Sequence, residues 1–561
     1  MFNAADWVEF CLAALFVCFA FFWQPALRAR IGIFAERTRM MMLVLFAAPI
    51  VLRLALLPHH PVPEPNVYDE FSHLLVADTL LHLRLANPPH PLHKFFETFF
   101  VLQEPTYSSI YPIGQGLMLA FGRLISGVAW TGVVLATGAL CSLCYWMLRA
   151  YVPARWALLG GALAVIQFGP LNLWMNCYWG GSLAAAAGCL VFGSLARLAE
   201  AWQRGVPARR RDAFTLGGGL AIHLLARPFE SLFLVAAAGL YFTVERQLKS
   251  RFALQSGKLA AAALAPAVLL MLWHNKQVTG SFTTLPEVLS QYQYGVPTTL
   301  TIQAPARPHR ALTPQQAFEY KSQFLMHGPD HDSLPRFLSR LQYRVRNYRF
   351  FFLPPLYVAL GAFLFTLRRK LSLWVAATLA VFALGTNLFP YLLAHYLAAV
   401  TSVFLLAAVI GLQKLSALRI RELAVGAEIA GVLVLLCFAQ FALWYGLHLF
   451  EQDTALPSLM RYETWDVINH RIETRRSFVA KKLENTPGKL LVFVHYSPRH
   501  VFQQEWVWNR ADIDGERIVY ARDLGMSENQ ELIKYYPARK VLYLEPDFDP
   551  PQLSTAHPSD D

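Results

Sequence analysis

The chain has 561 residues, of which 55% are hydrophobic, 14% aromatic and only 15% charged, with a mean hydropathy of +0.35. Soluble chains carry about 25% charged residues, so this composition excludes a soluble protein and places most of the length in membrane spans. The formal net charge of +12 fits Lys and Arg collecting in cytoplasmic loops, and without a compact basic domain it gives no support for nucleic acid as a partner.

A helix crosses the bilayer with about 20 apolar residues. Runs that meet or approach this are 7–23, 41–57, 128–148, 156–175, 181–201, 213–227, 231–245, 258–275, 350–367, 371–390, 395–412 and 424–447. They predict an α-helical polytopic membrane protein of about twelve spans. The shorter run 112–125 begins Tyr-Pro and reads as a re-entrant or interfacial helix. Met1 to Glu9 contains Asp6 and Glu9 but no Lys or Arg, the wrong charge for the start of a signal peptide. Arginines and lysines follow the first, third, fifth, seventh, ninth and eleventh runs, for example Arg28 and Arg30, Arg209 to Arg211, and Arg368 to Lys370. Such loops are cytoplasmic. This puts both termini outside the cytoplasmic membrane, together with a first outer loop (58–127) and a second (276–349).

The first outer loop opens with Asn66-Val-Tyr-Asp-Glu-Phe-Ser-His73. Phe71, Leu74, Leu75, Leu81 and Leu85 recur at helical spacing and predict an amphipathic helix from Tyr68 to Leu85 lying along the membrane surface. Asp69 and His73, four apart, share a face of it. Acidic residues are also favoured at a helix N-terminus, so Asp69-Glu70 reads either as a dipole-compensating pair or as a general base facing a lipid-borne substrate.

Further along, Trp174-Met-Asn-Cys-Tyr-Trp179-Gly-Gly181 ends the fourth span, where aromatics anchor at the interface or stack on sugar rings. Arg227-Pro-Phe-Glu230 ends the sixth. An arginine at that depth is costly and needs a partner, either Glu230 or a phosphate. Arg340, Arg344, Arg346 and Arg349 precede the ninth span on the outer side and read as snorkelling side chains or as ligands for an anion. His395-Tyr396 opens the eleventh span.

His327-Gly-Pro-Asp-His331-Asp332 crowds four metal-ligating side chains into a Gly-Pro loop, but matches no closed zinc spacing. The seven cysteines all lie in or beside apolar runs. Cys141-Ser-Leu-Cys144 lacks a second ligand pair and reads as packing.

From 451 to 561 the composition turns polar. Arg461 to Leu483 is charged and helical in pattern, while Leu490–His495, Ile518–Ala521 and Val541–Leu544 read as buried strands. Ser527-Glu-Asn-Gln530 reads as a capping box. Alternating strand and helix predict a separate extracytoplasmic α/β domain with a three-stranded parallel sheet. A Gly-rich phosphate loop is absent from it.

These features resemble the GT-C glycosyltransferases, multi-span enzymes that take a sugar from a polyprenyl-phosphate donor. The family includes protein mannosyltransferases, aminoarabinose transferases and RgtA-like enzymes. The likeness covers roughly 41–412. It rests on Asp69-Glu70 in a long first outer loop, on Tyr107-Ser-Ser-Ile-Tyr-Pro-Ile-Gly-Gln-Gly-Leu closing that loop, and on Leu225-Ala-Arg227-Pro228. His395-Tyr396 resembles a late family element, with His in place of Arg and the following prolines missing. The resemblance implies that Asp69 is general base, with Glu70 orienting it or binding the sugar. It implies that Arg227 and one or more of Arg344, Arg346 and Arg349 neutralise the phosphate, while His73, Trp179, Glu230, His395 and Tyr396 bind substrate. The acceptor would be a lipid, glycan or protein. The scheme requires no cofactor, although some relatives use a divalent metal. A lipid or lipid-linked-sugar flippase is the alternative, with Arg53 and His223 as its buried ionisable residues. A non-catalytic membrane receptor is a third.

Overall fold

The computed structural model describes residues 32–244, 251–328, 332–419, 425–450 and 475–558, with isolated positions between 7 and 18 and at 421 and 423. Most of the expected first span, 7–23, and the segment 451–474 therefore lie outside the described residues.

The membrane part is built from α1 (Thr38–Ala55), α3 (Ile113–Ser126), α4 (Trp130–Leu148), α5 (Ala154–Phe168), α6 (Ser182–Gln203), α7 (Arg210–Ala226), α8 (Pro228–Val244), α9 (Arg251–Thr279), α13 (Leu356–Leu364), α14 (Lys370–Thr386), α15 (Thr401–Ser416) and α16 (Val425–Leu449). Among the described residues six of these helical stretches are long and apolar enough to cross a membrane, the last-but-one taking in the 3₁₀ turn at 394–400. The chain is a multi-pass membrane protein. In an apolar 18-residue window of each, 94% of the residues of Ala394–Ser416 and 83% of those of α6 are buried, against 22% for α1 and 17% for α9, so the first two form the centre and the others the lipid-facing rim. Small residues let the central helices approach. A Cβ on Gly188 would stand 1.9 Å from the Ala399 carbonyl oxygen, and one on Gly411 would meet that of Ala359 equally closely. The run 350–367 is interrupted. A 3₁₀ turn at Tyr348–Phe351 is followed by Pro354-Pro355 before α13 begins, as expected where proline restricts the preceding residue.

The outer loops and the C-terminal segment meet on one side. The first loop contributes α2 (Tyr68–Leu81) and a short antiparallel pair, β1 (Val101–Leu102) with β2 (Ser108–Ser109). The second contributes α10 (Pro286–Tyr294), α11 (Pro314–His327) and α12 (Leu334–Asn347). The C-terminal unit carries α17 (Arg475–Glu484), β3 (Leu490–Val494), β4 (Ile518–Arg522), α18 (Met526–Tyr535), β5 (Lys540–Glu545) and β6 (Gln552–Ser554). Its strand order is β4-β3-β5-β6, with β3 parallel to both neighbours. The fourth strand, antiparallel to β5, is too short and too polar to be read from sequence. Helix α18 begins one residue before Ser527, and Asp523 rather than a capping box accepts the Gly525 N–H at 3.0 Å.

β3 is buried on both faces, which is why its sequence is an unbroken apolar run. Leu490, Val492 and Val494 pack with Val479 and Leu483 of α17. Leu491 and Phe493 pack instead with Leu75, Phe95, Phe96 and Tyr107 of the first outer loop, so the expected separate domain shares a core with that loop.

This placement also corrects the expected interfacial helix. α2 ends at Leu81 rather than Leu85, and ten of its side chains, from Tyr68 to Thr79, are buried. One side packs on the bundle through Ala77 with Leu119 and Trp130. The other is covered by the C-terminal unit: Trp508 stacks 5.3 Å from Phe71, and the Ala511 N–H donates to Asp78 at 2.8 Å. Its apolar stripe meets protein, not lipid.

Candidate active site

A cavity of about 370 Å³ opens where α2 meets the α7–α8 break and the second outer loop. Asp69 lines it from the first turn of α2. Beside it Glu70 turns away and serves the backbone. One carboxylate oxygen accepts the N–H groups of Asn66 and Val67 at 2.9 and 3.3 Å, and the other accepts that of Tyr178 at 2.9 Å. Glu70 thus fixes the helix start and ties it to the Trp174–Gly181 turn, which leaves Asp69 alone of the pair on the cavity wall.

The closing motif of the first loop supplies Asp69's partner. Ser109 accepts the Tyr111 N–H at 3.0 Å and bonds Ser72 of α2 at 2.7 Å. This aims the Tyr111 hydroxyl at Asp69, to which it donates. His73 stacks on the same ring at 4.2 Å, and its Nδ1 has no hydrogen-bond partner among the described residues. Burial is the largest influence on Asp69. It pushes the carboxyl up to about 7, helped by Glu319 and Glu70 and opposed by the Tyr111 hydroxyl. Burial, with a smaller contribution from Arg227, pushes His73 down to about 3, so its imidazole is neutral at physiological pH.

Arg227 stands where α7 stops. Pro228 opens α8 at its first position, where proline is favoured, and the residue before it leaves the helical conformation with φ −146°. The guanidinium therefore projects from a break between two helices. It lies over the Tyr396 ring at 5.4 Å, and its nearest carboxylate oxygen, on Glu230, is 4.0 Å away, beyond hydrogen-bond reach. Among the described residues it donates no side-chain hydrogen bond. Two fully buried arginines of the membrane part differ. Arg53 donates to Asn176, His60 and Pro61 at 2.8–3.0 Å. Arg344 donates to the carbonyls of Phe389 and Tyr391 at 2.5 and 3.0 Å. Arg53 and, through one nitrogen, Arg344 thus bind the protein, whereas the Arg227 guanidinium faces the cavity.

Trp179 lines the cavity because Gly180 and Gly181 adopt φ of +88° and +116°. A Cβ on Gly181 would stand 2.5 Å from the Trp174 ring, so this turn requires glycine. Trp174 itself is 1% exposed and packs inside the bundle, contrary to its expected place as an interface anchor. Tyr396 and Glu230 line the cavity. His395 stands behind it, 5.8 Å from the Trp179 ring.

Arg344, Arg346 and Arg349 do not join Arg227. Arg344 is turned onto the 386–391 loop, and the other two border a separate groove. In the His327 loop, residues 329–331 lie outside the described residues, and Asp332 pairs with Arg340. No group of three His, Cys, Asp or Glu side chains that could hold a metal ion occurs among the described residues.

The second outer loop adds residues the sequence did not single out. Glu287 of α10 and Glu319 of α11 face the cavity, with His274, Asn275 and Tyr391. Glu319 accepts bonds from Gln323 and the Tyr68 hydroxyl at 2.5 and 3.3 Å. Burial, assisted by Glu230, pushes Glu287 up to about 7. Their contexts, Leu-Pro-Glu287 and Phe-Glu319-Tyr, carry no motif. Tyr111 did lie inside a quoted one.

No family model matches the chain, and no curated protein matches it in sequence. Among solved structures it is similar to ArnT from Cupriavidus metallidurans bound to undecaprenyl phosphate. The identity is 11% over 90% of this chain and 92% of that one, with a TM-score of 0.47. It is also similar to the Archaeoglobus fulgidus oligosaccharyltransferase in complex with zinc and sulfate, at 11% identity over 80% of this chain and TM-score 0.46. The chain spans 60% of that protein's length. What the cavity does is read from its own side chains.

Proposed function

We propose that this chain is a membrane glycosyltransferase of GT-C type, moving a sugar from a polyprenyl-phosphate donor to an acceptor at the outer face of the cytoplasmic membrane. The carrying observation is Arg227, a guanidinium that donates no hydrogen bond among the described residues and lines the same cavity as Asp69. A fork of free N–H donors suits a phosphate, and a carboxyl that ionises near neutrality suits a general base. The donor class comes from the sequence resemblance, and the outer-face assignment from the basic loops.

In the proposed reaction the acceptor hydroxyl or amine attacks the anomeric carbon while Asp69 takes its proton. The bond from that carbon to the phosphate oxygen breaks, and polyprenyl phosphate leaves with its electron pair. Phosphate needs no proton to depart, its second pKa being about 6. Its growing charge falls on Arg227. One displacement inverts the anomeric centre. Glu70 enters only by holding α2 in place. Trp179 and Tyr396 offer ring faces to the sugar.

The flippase reading has less support, because the buried residues it relied on are engaged within the protein. Arg53 is bonded as described, and His223 Nδ1 bonds Ser231 at 2.7 Å. The discriminating experiment uses the purified protein in liposomes with a labelled polyprenyl-phosphate sugar and a cell-envelope acceptor extract. Release of polyprenyl phosphate with label on the acceptor supports transfer. Intact donor appearing in the opposite leaflet without cleavage would replace this reading with transport.

A further inference from the structure

Arg346 and Arg349 border a groove of about 690 Å³ between α13, α14 and α15. Its floor is Phe404 and Ala407. Its walls are Leu360 and Leu364 on one side, Ala380 and Leu384 on the other. The groove exists because Ala376, Ala380 and Ala383 recur on one face of α14 opposite Gly361, which recesses the surface between larger neighbours. Leu364 and Leu384 are 62% and 49% exposed, so the groove opens toward lipid. From Ala376 to Leu384 the wall runs about 12 Å at the helical rise, against about 15 Å for the hydrocarbon of one leaflet.

Above it lies α12, the interfacial helix this molecule does have. Leu334, Leu338, Leu341 and Val345 form one stripe, and Leu334, Leu338 and Val345 are all more than half exposed. Leu341 and Val345 also line the groove. On the same segment Arg340 and Arg344 are turned inward onto Asp332 and the 386–391 carbonyls. Arg346 and Arg349 are exposed, with no side-chain hydrogen bond or ion pair among the described residues. Among the described residues no carboxylate lines the groove, and no residue lines both this groove and the cavity.

We infer that this face is a binding site for an anionic phospholipid of the surrounding bilayer, with an acyl chain in the groove and the phosphate on Arg346 and Arg349. The apolar slot sets the depth of the chain, and the two free cations supply the preference for negative charge. A lipid held here meets none of the groups assigned to sugar transfer, so the site is distinct from the donor site.

The test places the full chain in nanodiscs of phosphatidylcholine with a minor fraction of phosphatidylglycerol, and reads retained lipid by native mass spectrometry. Wild type should retain phosphatidylglycerol preferentially. The Arg346→Gln, Arg349→Gln double variant should lose that preference by about tenfold or more. Ala380→Trp, which fills the slot, should retain neither lipid, and Arg227→Gln should retain phosphatidylglycerol as wild type does. Undiminished preference in the double variant overturns the inference. So does its loss in Arg227→Gln, which would send the anion to the cavity.

Discussion

Replacing Asp69 by Asn tests the base without removing the side chain. The carboxyl ionises near pH 7, so about one tenth of it is ionised at pH 6 and about nine tenths at pH 8. Wild-type kcat/KM should therefore rise about tenfold between those values. Asp69→Asn should lower transfer by about 10²–10⁴-fold and abolish this acid limb. The sign for stability is opposite. An unfolded Asp ionises near about 3.9, so the fold holds the proton more tightly. The contribution of this carboxyl to stability is full below about pH 4 and is lost as pH rises through about 7. Asp69→Asn should consequently melt no lower than wild type at pH 8, with donor lipid still bound. The assay is initial-rate transfer from purified donor across pH 5.5–8.5, as about the range spanning this ionisation, with melting followed in parallel. Near-wild-type turnover with the acid limb intact would refute the role of Asp69.

Other outcomes follow from the same cavity. Arg227→Ala should raise the KM for donor about 10–100-fold, the weight of charge-assisted bonds to one phosphate, and Arg227→Lys should restore it only partly because the fork is lost; donor titration checks both. Tyr111→Phe keeps the ring under His73 but removes the hydroxyl that holds Asp69 down, so the acid limb of the pH–rate profile should move to higher pH with the high-pH rate retained. Glu70→Gln should cost about 1–3 kcal/mol of stability through unsatisfied backbone N–H groups, seen as a lower melting temperature; lost activity at unchanged stability would give Glu70 a chemical role. For topology, an alkaline-phosphatase fusion at the C-terminus should be active and one near Arg210 inactive.

Hydropathy made the spans legible because a bilayer leaves little choice of segment length. Leu225-Ala-Arg227-Pro228 was legible for a similar reason. Pro228 disfavours the helical conformation at Arg227 and so ends α7 there. That Asp69 lines the cavity could be expected from its place in a polar loop, but the orientation of its neighbour could not. Whether Glu70 faces the cavity or the backbone depends on Tyr178, 108 positions away. α2 was misread because its apolar spacing is the same whether lipid or protein covers it, and the covering Trp508 comes from the far end of the chain. Glu287 and Glu319 were missed because they reach the cavity only through the fold of the second loop. The arginines before the ninth span were assigned together on sequence proximity. Two positions along α12 separate Arg344, facing inward, from Arg346, which borders the groove together with Arg349 of the following 3₁₀ turn.

The central claim is that this cavity breaks the bond between a sugar and a lipid phosphate. Mass spectrometry of polyprenyl lipids from cells lacking the protein, and from the same cells carrying wild type or Asp69→Asn, tests it most directly. The account predicts one polyprenyl-phosphate sugar that accumulates in the null, is cleared by wild type and persists with Asp69→Asn at equal protein level. An unchanged lipid pool in the null, or clearance by Asp69→Asn, would contradict it.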